Sequence, residues 1–222
     1  MTSFDTLETL DDRAADPATA SASLRDIVVI NRLFGGRHAV RWGVTRLLTG
    51  IPRDRPVTLL DLGAGAGDIA DDLRRHLPWR VTPLAFDHLH CAATMSRARG
   101  VPAVVADLHA IPLPPRSVDV VIVSQVLHHL PRGAVPAFLR NVSTFARIGV
   151  VIADLRRSPI ARAGIWIASR LLGFHPVTHV DSVTSVEKGF SRMELDHLCR
   201  RAGAHPTVRR RPGWRLVAWW RT

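Results

Sequence analysis

Lysine is almost missing from this chain: of its 30 basic residues, 29 are arginine and one, Lys188, is lysine. A phosphate-cradling loop that ends in Gly-Lys-Ser/Thr is therefore excluded. Cysteine is nearly as scarce. Cys91 and Cys199 stand far apart without CxxC spacing, which rules out a disulfide framework and fits a reducing compartment. Long apolar runs are absent as well. Even SPIARAGIWIASRLLGF (158–174) is interrupted by Arg162 and Arg170, so no membrane span is expected. The opening MTSFDTLETLDDRAADPATASAS is acidic and rich in small residues. It lacks the basic-then-apolar order of a signal peptide, and a cytoplasmic protein is expected.

What the chain does have is 222 residues, 46% of them hydrophobic, enough for one domain with a sizeable core. The formal charge of +11 raises the question of nucleic acid. The arginines are scattered, apart from Arg200-Arg201 and Arg209-Arg210-Arg211, and such runs mostly form solvated faces. A nucleic-acid partner is accordingly not expected.

Residues 1–23 show no hydrophobic period and read as a flexible arm. From Leu24 apolar residues recur at helical spacing on both sides of Gly35-Gly36, which predicts two helices forming a cap over 24–50. A strand, Val57 to Leu62, then runs straight into Gly63, Gly65 and Gly67, and a helix follows from Asp68. The alternation repeats with strands predicted at Val81–Phe86, Ala103–Ala106, Val118–Ser124 and Ile148–Ala153, separated by helices at His90–Arg99 and Val135–Phe145. This rhythm predicts an α/β fold, a Rossmann-like, doubly wound, mostly parallel seven-stranded sheet. Further on come an amphipathic helix at Ile160–Leu172, a long polar connection (HPVTHVDSVTSVEKG), a helix at Met193–Ala202 and an antiparallel C-terminal hairpin split by Pro212-Gly213. Ligands in such sheets bind beyond the carboxyl ends of the strands. Asp87, Asp107, Ser124 and Asp154 end four of them and should line one crevice.

The glycine-rich turn suits close approach of a nucleotide-like ligand. In a GxGxxG count from Gly63 the third glycine position holds Asp68, whose carboxylate would repel a pyrophosphate at the helix start. A cationic ligand without phosphate is left. LLDLGAGAGD (59–68), LAFD (84–87), VVADLHAIPLPPRSVDVVIVSQVLHHLP (104–131) and IADLRRS (152–158) resemble the class I S-adenosylmethionine-dependent methyltransferases. The likeness is to the small-molecule branch of ubiquinone and menaquinone biosynthesis, with features of a bacterial polyketide and phenolic-lipid subgroup that would place the protein in secondary metabolism. The turn before the fifth strand departs from that family, NVSTFARIGV standing where Lys-Pro-Gly-Gly is usual.

The resemblance implies S-adenosylmethionine as cofactor in a core over 55–158, within a methyltransferase domain over 24–222. It implies that Gly63, Gly65 and Gly67 lie against the methionyl and ribose portion, with Asp61 near the amino group. Asp87 would accept the ribose hydroxyls, with His88 beside the adenine. Asp107 and Leu108 would contact the adenine, and the Ser124 backbone would face the ammonium. Each aspartate has a plainer reading as a helix cap or turn residue. Residues 159–190 are expected to form a lid or substrate segment.

Methylation of an oxygen requires a proton acceptor, and His128 or His129, oriented by Asp154, is placed for it. Both could instead simply pack. The cluster His88, His90 and Cys91 lacks further ligands at zinc-site spacing, and no metal is expected. The expected activity is methyl transfer to a small apolar acceptor, aromatic, phenolic or polyketide-derived, with oxygen favoured. Carbon methylation of a quinonoid ring, an RNA or protein methyltransferase and a non-catalytic cofactor-binding scaffold are the alternatives. Oligomeric state, monomer or homodimer, is left open.

Overall fold

A computed structural model describes residues 8–12, 14–108 and 110–222. Seven strands form one sheet in the order β3-β2-β1-β4-β5-β7-β6. They are β1 (Val57–Leu62), β2 (Val81–Asp87), β3 (Ala103–Val105), β4 (Val118–Ser124), β5 (Ala146–Leu155), β6 (Thr207–Arg211) and β7 (Arg215–Arg221). The first five run parallel; β7 is antiparallel to both β5 and β6. From β1 the chain steps outward to β3, then returns to lay β4 on the other side of β1. That reversal opens a crevice above the β1–β4 boundary.

The two faces of the sheet follow from alternation along each strand. Leu60, Leu62, Val121 and Val123 belong to a core completed by Phe138, Leu139 and Leu195. Leu59, Val120 and Ile122 point the other way, against Val40, Val44 and Leu73. The first core is packed by α5 (Val135–Phe145) and α8 (Arg192–Arg201), the second by α2 (Gly36–Leu47) and α3 (Asp68–His76). One carboxylate lies inside the central strand. Asp119 is 3% exposed and accepts from Thr58 N at 2.9 Å, Thr58 Oγ1 at 2.9 Å, Arg55 at 3.1 Å and Arg147 at 3.1 Å, so its burial is compensated.

Three further helices lie over the crevice: α1 (Pro17–Leu33), α6 (Pro159–Leu171) and α7 (Pro176–Lys188), with α4 (His90–Ala98) after β2. Two expectations need correction here. The arm expected over 1–23 does not reach Leu24 in that form, because α1 starts at Pro17 with the Asp16 side chain accepting from Thr19 N, an N-cap followed by proline. Residues 1–7 and 13 lie outside the described residues. The polar connection after Phe174 is helix α7, capped by His175 with proline in its first turn. Its Val, Thr and Ser are weak helix formers, and burial of Thr178, Val186 and Lys188 overrides that local preference. The predicted glycine junction between the first two helices is present at Gly35, with φ 77°.

Candidate active site

Gly63, Gly65 and Gly67 have φ of 69°, 53° and 73°, backbone that favours glycine. Much of the crowding that excludes side chains comes from the protein itself. A Cβ on Gly63 would strike Val126, and one on Gly67 would sit 2.6 Å from Ser96 Oγ. The turn is fastened from β2: Asp87 accepts from Gly65 N at 2.8 Å and from Leu89 N at 3.0 Å. His88 stands beside it, Nδ1 3.6 Å from the carboxylate, with Nε2 buried and unpartnered.

A cavity of about 470 Å³ opens over this turn. Asp61, Gly63, Gly65, Asp87, His88, Asp107, Leu108, Ser124, His128 and His129 all line it, so three of the four strand ends expected in one crevice, Asp87, Asp107 and Ser124, are brought together there. Gly67 and Asp154 do not form its wall. Gly67 serves the packing on Ser96, and Asp154 stands behind His128. The other half of the cavity is apolar, lined by Ile30, Phe34, Leu155, Ile165, Val186 and Trp214.

Asp61 is 2% exposed, and neither of its carboxylate oxygens has a hydrogen-bond partner. Burial, together with the Asp68 and Asp87 charges, pushes its pKa up to about 8. A cation placed against such a carboxylate would favour its ionised form. Asp68, the other aspartate of the turn, is already engaged by Arg37 Nε at 2.9 Å and Asn31 Nδ2 at 3.3 Å; burial nonetheless raises its pKa against those partners.

The His-His pair occupies a 3₁₀ turn, Leu127–His129, after β4. His128 Nδ1 is 2.7 Å from Asp154 Oδ1, and Asp154 also accepts from Leu127 N at 3.0 Å and Leu155 N at 2.7 Å. Burial alone would raise the Asp154 pKa, but His128 and the Leu155 N–H hold it below the usual carboxylate range. An ionised carboxylate only accepts, so Nδ1 of His128 is the donor in this pair, and in that tautomer the free lone pair of the ring is on Nε2.

His129 has a different partner. Its Nδ1 is 2.7 Å from Asp11 Oδ1 and 3.9 Å from Glu8 Oε2. Burial works against its charged form, yet Asp11, Glu8 and Asp154 raise its pKa, which disfavours it as a base. Sequence reasoning missed Glu8 and Asp11, which lie in the stretch read as an arm, and also Asn31, Gln125 and Arg215 on the cavity wall. Glu8, His128 and His129 each present a ligand atom within 4.8 Å of the others. Glu8 Oε1 is, however, 3.2 Å from Lys188 Nζ, so an ammonium already neutralises this cluster and we assign no metal to it.

Residues 59–149 match a sequence family described as a methyltransferase domain. No curated protein matches the chain by sequence. Among solved structures, a SAM-dependent methyltransferase from Aquifex aeolicus aligns with a TM-score of 0.64 at 17% identity, over 93% of this chain and 98% of the other. Human N-acetylserotonin methyltransferase, solved in complex with SAM, gives 0.65 at 14% identity over 93% of this chain and 56% of its own. The CurJ carbon methyltransferase gives 0.59 at 14%, over 80% and 51%. This chain thus spans little more than half of the last two, and likeness at these identities is likeness of fold. The Rossmann-like class I methyltransferase architecture is common to all of them.

Proposed function

We propose that this S-adenosylmethionine-dependent methyltransferase methylates a small, largely apolar acceptor, aromatic, phenolic or polyketide-derived, with oxygen as the nucleophile. The observation that carries the reading is the buried His128–Asp154 pair at 2.7 Å, facing the same cavity as the glycine turn and the orphaned Asp61. S-adenosylmethionine supplies a methyl group already activated on a cationic sulfur, so the protein must mainly align the partners, exclude water and move one proton.

Asp61 offers the uncompensated negative charge that a ligand ammonium satisfies. Beyond its bonds to Gly65 and Leu89, Asp87 retains acceptor capacity on both oxygens for a pair of ribose hydroxyls. Gly63 and Gly65 present backbone to the methionyl and ribose portion, and the Ser124 backbone faces the ammonium. Asp107 and Leu108 meet the adenine, with His88 alongside. Asp154 fixes His128 with Nδ1 protonated, and Nε2 takes the proton of the acceptor hydroxyl. The apolar faces of α1, α6 and α7 cover the acceptor and keep water from the reacting atoms.

Incubation with methyl-labelled S-adenosylmethionine and paired phenolic and quinonoid acceptors tests this reading. Label in a base-stable aryl methyl ether supports it. Label on ring carbon would remove the assignment to oxygen, and no transfer to any small acceptor, with labelled RNA or protein instead, would overturn the substrate class.

A further inference from the structure

Arg215 opens β7 and pairs with Leu155 across β5. It is 2% exposed and lines the cavity. Its two hydrogen bonds go to neutral acceptors, Nε to the Phe34 carbonyl at 3.2 Å and NH1 to Gln125 Oε1 at 2.6 Å. Among the described residues no carboxylate forms an ion pair with it. Asp154 is near enough to be felt through space, but its oxygens are taken by His128 and two backbone N–H groups. Burial accordingly pulls the Arg215 pKa down to about 10. A guanidinium buried with no carboxylate in contact with it is costly, the charge of Asp154 being felt only through space.

The surroundings hold this guanidinium in place. Gln125 sits at φ 57°, strained for a residue with a side chain. Its amide nitrogen donates to Asn31 Oδ1 at 2.6 Å, which fixes the orientation that aims Oε1 at Arg215. Asn31 is in turn tied to Asp68 at 3.3 Å. A strained residue and a relay of three hydrogen bonds from Asp68 of the glycine turn thus orient one buried cation at a cavity wall.

We propose that Arg215 is an anion subsite for the methyl acceptor, which carries an acidic group, a carboxylate or an ionised phenol or enol, that docks on this guanidinium. This rests on the methyltransferase reading above. A cofactor's own carboxylate is the other possible source of an anion, and the sheet order argues against it. The cofactor half of the cavity lies over β1, β2 and β4, whereas β7 is two strands beyond β4, roughly 10 Å at the usual strand spacing. Arg215 also adjoins Phe34, Leu155 and Trp214 of the apolar half. An arginine in an apolar pocket selects an acid over its neutral analogue, because planar paired donors match a carboxylate.

The probes are 2-hydroxybenzoate and its neutral analogue 2-hydroxybenzamide, titrated calorimetrically into protein saturated with S-adenosylhomocysteine. Wild type should bind the acid at least about tenfold tighter than the amide. Arg215→Gln and Arg215→Met should abolish that preference and leave S-adenosylhomocysteine affinity within about twofold, while Arg215→Lys keeps part of it. Arg215→Met should also melt higher than wild type, since an unpaired buried charge is gone. Equal binding of acid and amide by wild type would overturn the proposal without need of any variant. Loss of S-adenosylhomocysteine affinity in Arg215→Gln would transfer the anion to the cofactor and overturn it too. Failure of wild type to bind S-adenosylhomocysteine at all would instead sink the underlying methyltransferase reading.

Discussion

Replacing Asp61 by asparagine should make the ligand-free protein more heat-stable at neutral pH and at the same time poorer at holding S-adenosylmethionine. The folded protein keeps the Asp61 pKa at about 8, against 3.8 for the free group. A folded value raised in this way means that the folded state holds a proton which the unfolded state releases between those limits. Stability is therefore lost as pH rises from about 4 to about 8 and then levels off. At about 1.4 kcal/mol per pH unit, the span from 3.8 to 7 corresponds to about 4 kcal/mol. Asparagine, of similar size and without charge, removes that cost. In a chain of this length about 4 kcal/mol corresponds to roughly 10 °C in melting temperature.

The assay is calorimetric melting of wild type and Asp61→Asn from pH 5 to pH 9 without ligand, read as the difference between the two. Titration with S-adenosylmethionine in buffers of unlike ionisation enthalpy supplies the second half. A cationic ligand favours the ionised carboxylate, so binding at pH 7 should release up to about one proton, and binding at pH 9 almost none. Asp61→Asn should release none and bind more weakly. Melting curves that stay parallel across the whole range, or binding at pH 7 without proton release, would refute the reasoning.

Three other outcomes follow from the same geometry. His128→Ala should lower turnover by about 10²–10⁴-fold with cofactor affinity nearly unchanged, and Asp154→Asn should approach that loss because the ring loses its fixed tautomer; normal single-turnover rates in both would make the pair structural. Asp87→Ala should weaken S-adenosylmethionine binding by about 1–3 kcal/mol and also loosen the Gly65 turn, checked by titration and by hydrogen exchange at Gly65 and Leu89. His129 has its folded pKa raised by Asp11 and Glu8, so its pairing contributes stability that is fully present below about pH 6.5 and is lost as pH rises through the folded value. His129→Gln should flatten that part of the melting profile, and an unchanged profile would count against the ion pair.

Much of the sheet and the glycine turn was legible in the chain because both are written locally. A run such as Val118–Ser124, buried at every position, is apolar over Val120–Val123, and the Asp61–Asp68 stretch names its own turn through glycines that need positive φ. Strand order then carries Asp87, Asp107 and Ser124 to one crevice with no further information. What could not be read is everything settled by docking of distant segments. Helix α7 is rich in weak helix formers, and its packing on α6 through Val186, Ala161 and Ile165 together with the burial of Lys188 outweighs that preference.

The same physics separates the two neighbouring histidines. Sequence phase from Ser124 can bring a ring to the crevice, but it cannot say which carboxylate stands beside each ring. The two are Asp154, 26 residues from His128, and Asp11, 118 residues before His129. Both are carboxylates, yet they act differently. Asp154 is fully buried and fixed by two backbone N–H groups, so it orients its imidazole, whereas Asp11 and Glu8 raise the pKa of theirs against its burial. Division of labour between adjacent, identical side chains is thus a property of the tertiary electrostatic field. Exchanging the partners by Asp11→Asn should lower the His129 pKa, observable in its ring-proton titration by NMR, and a titration unmoved by that change would show that the field comes from elsewhere.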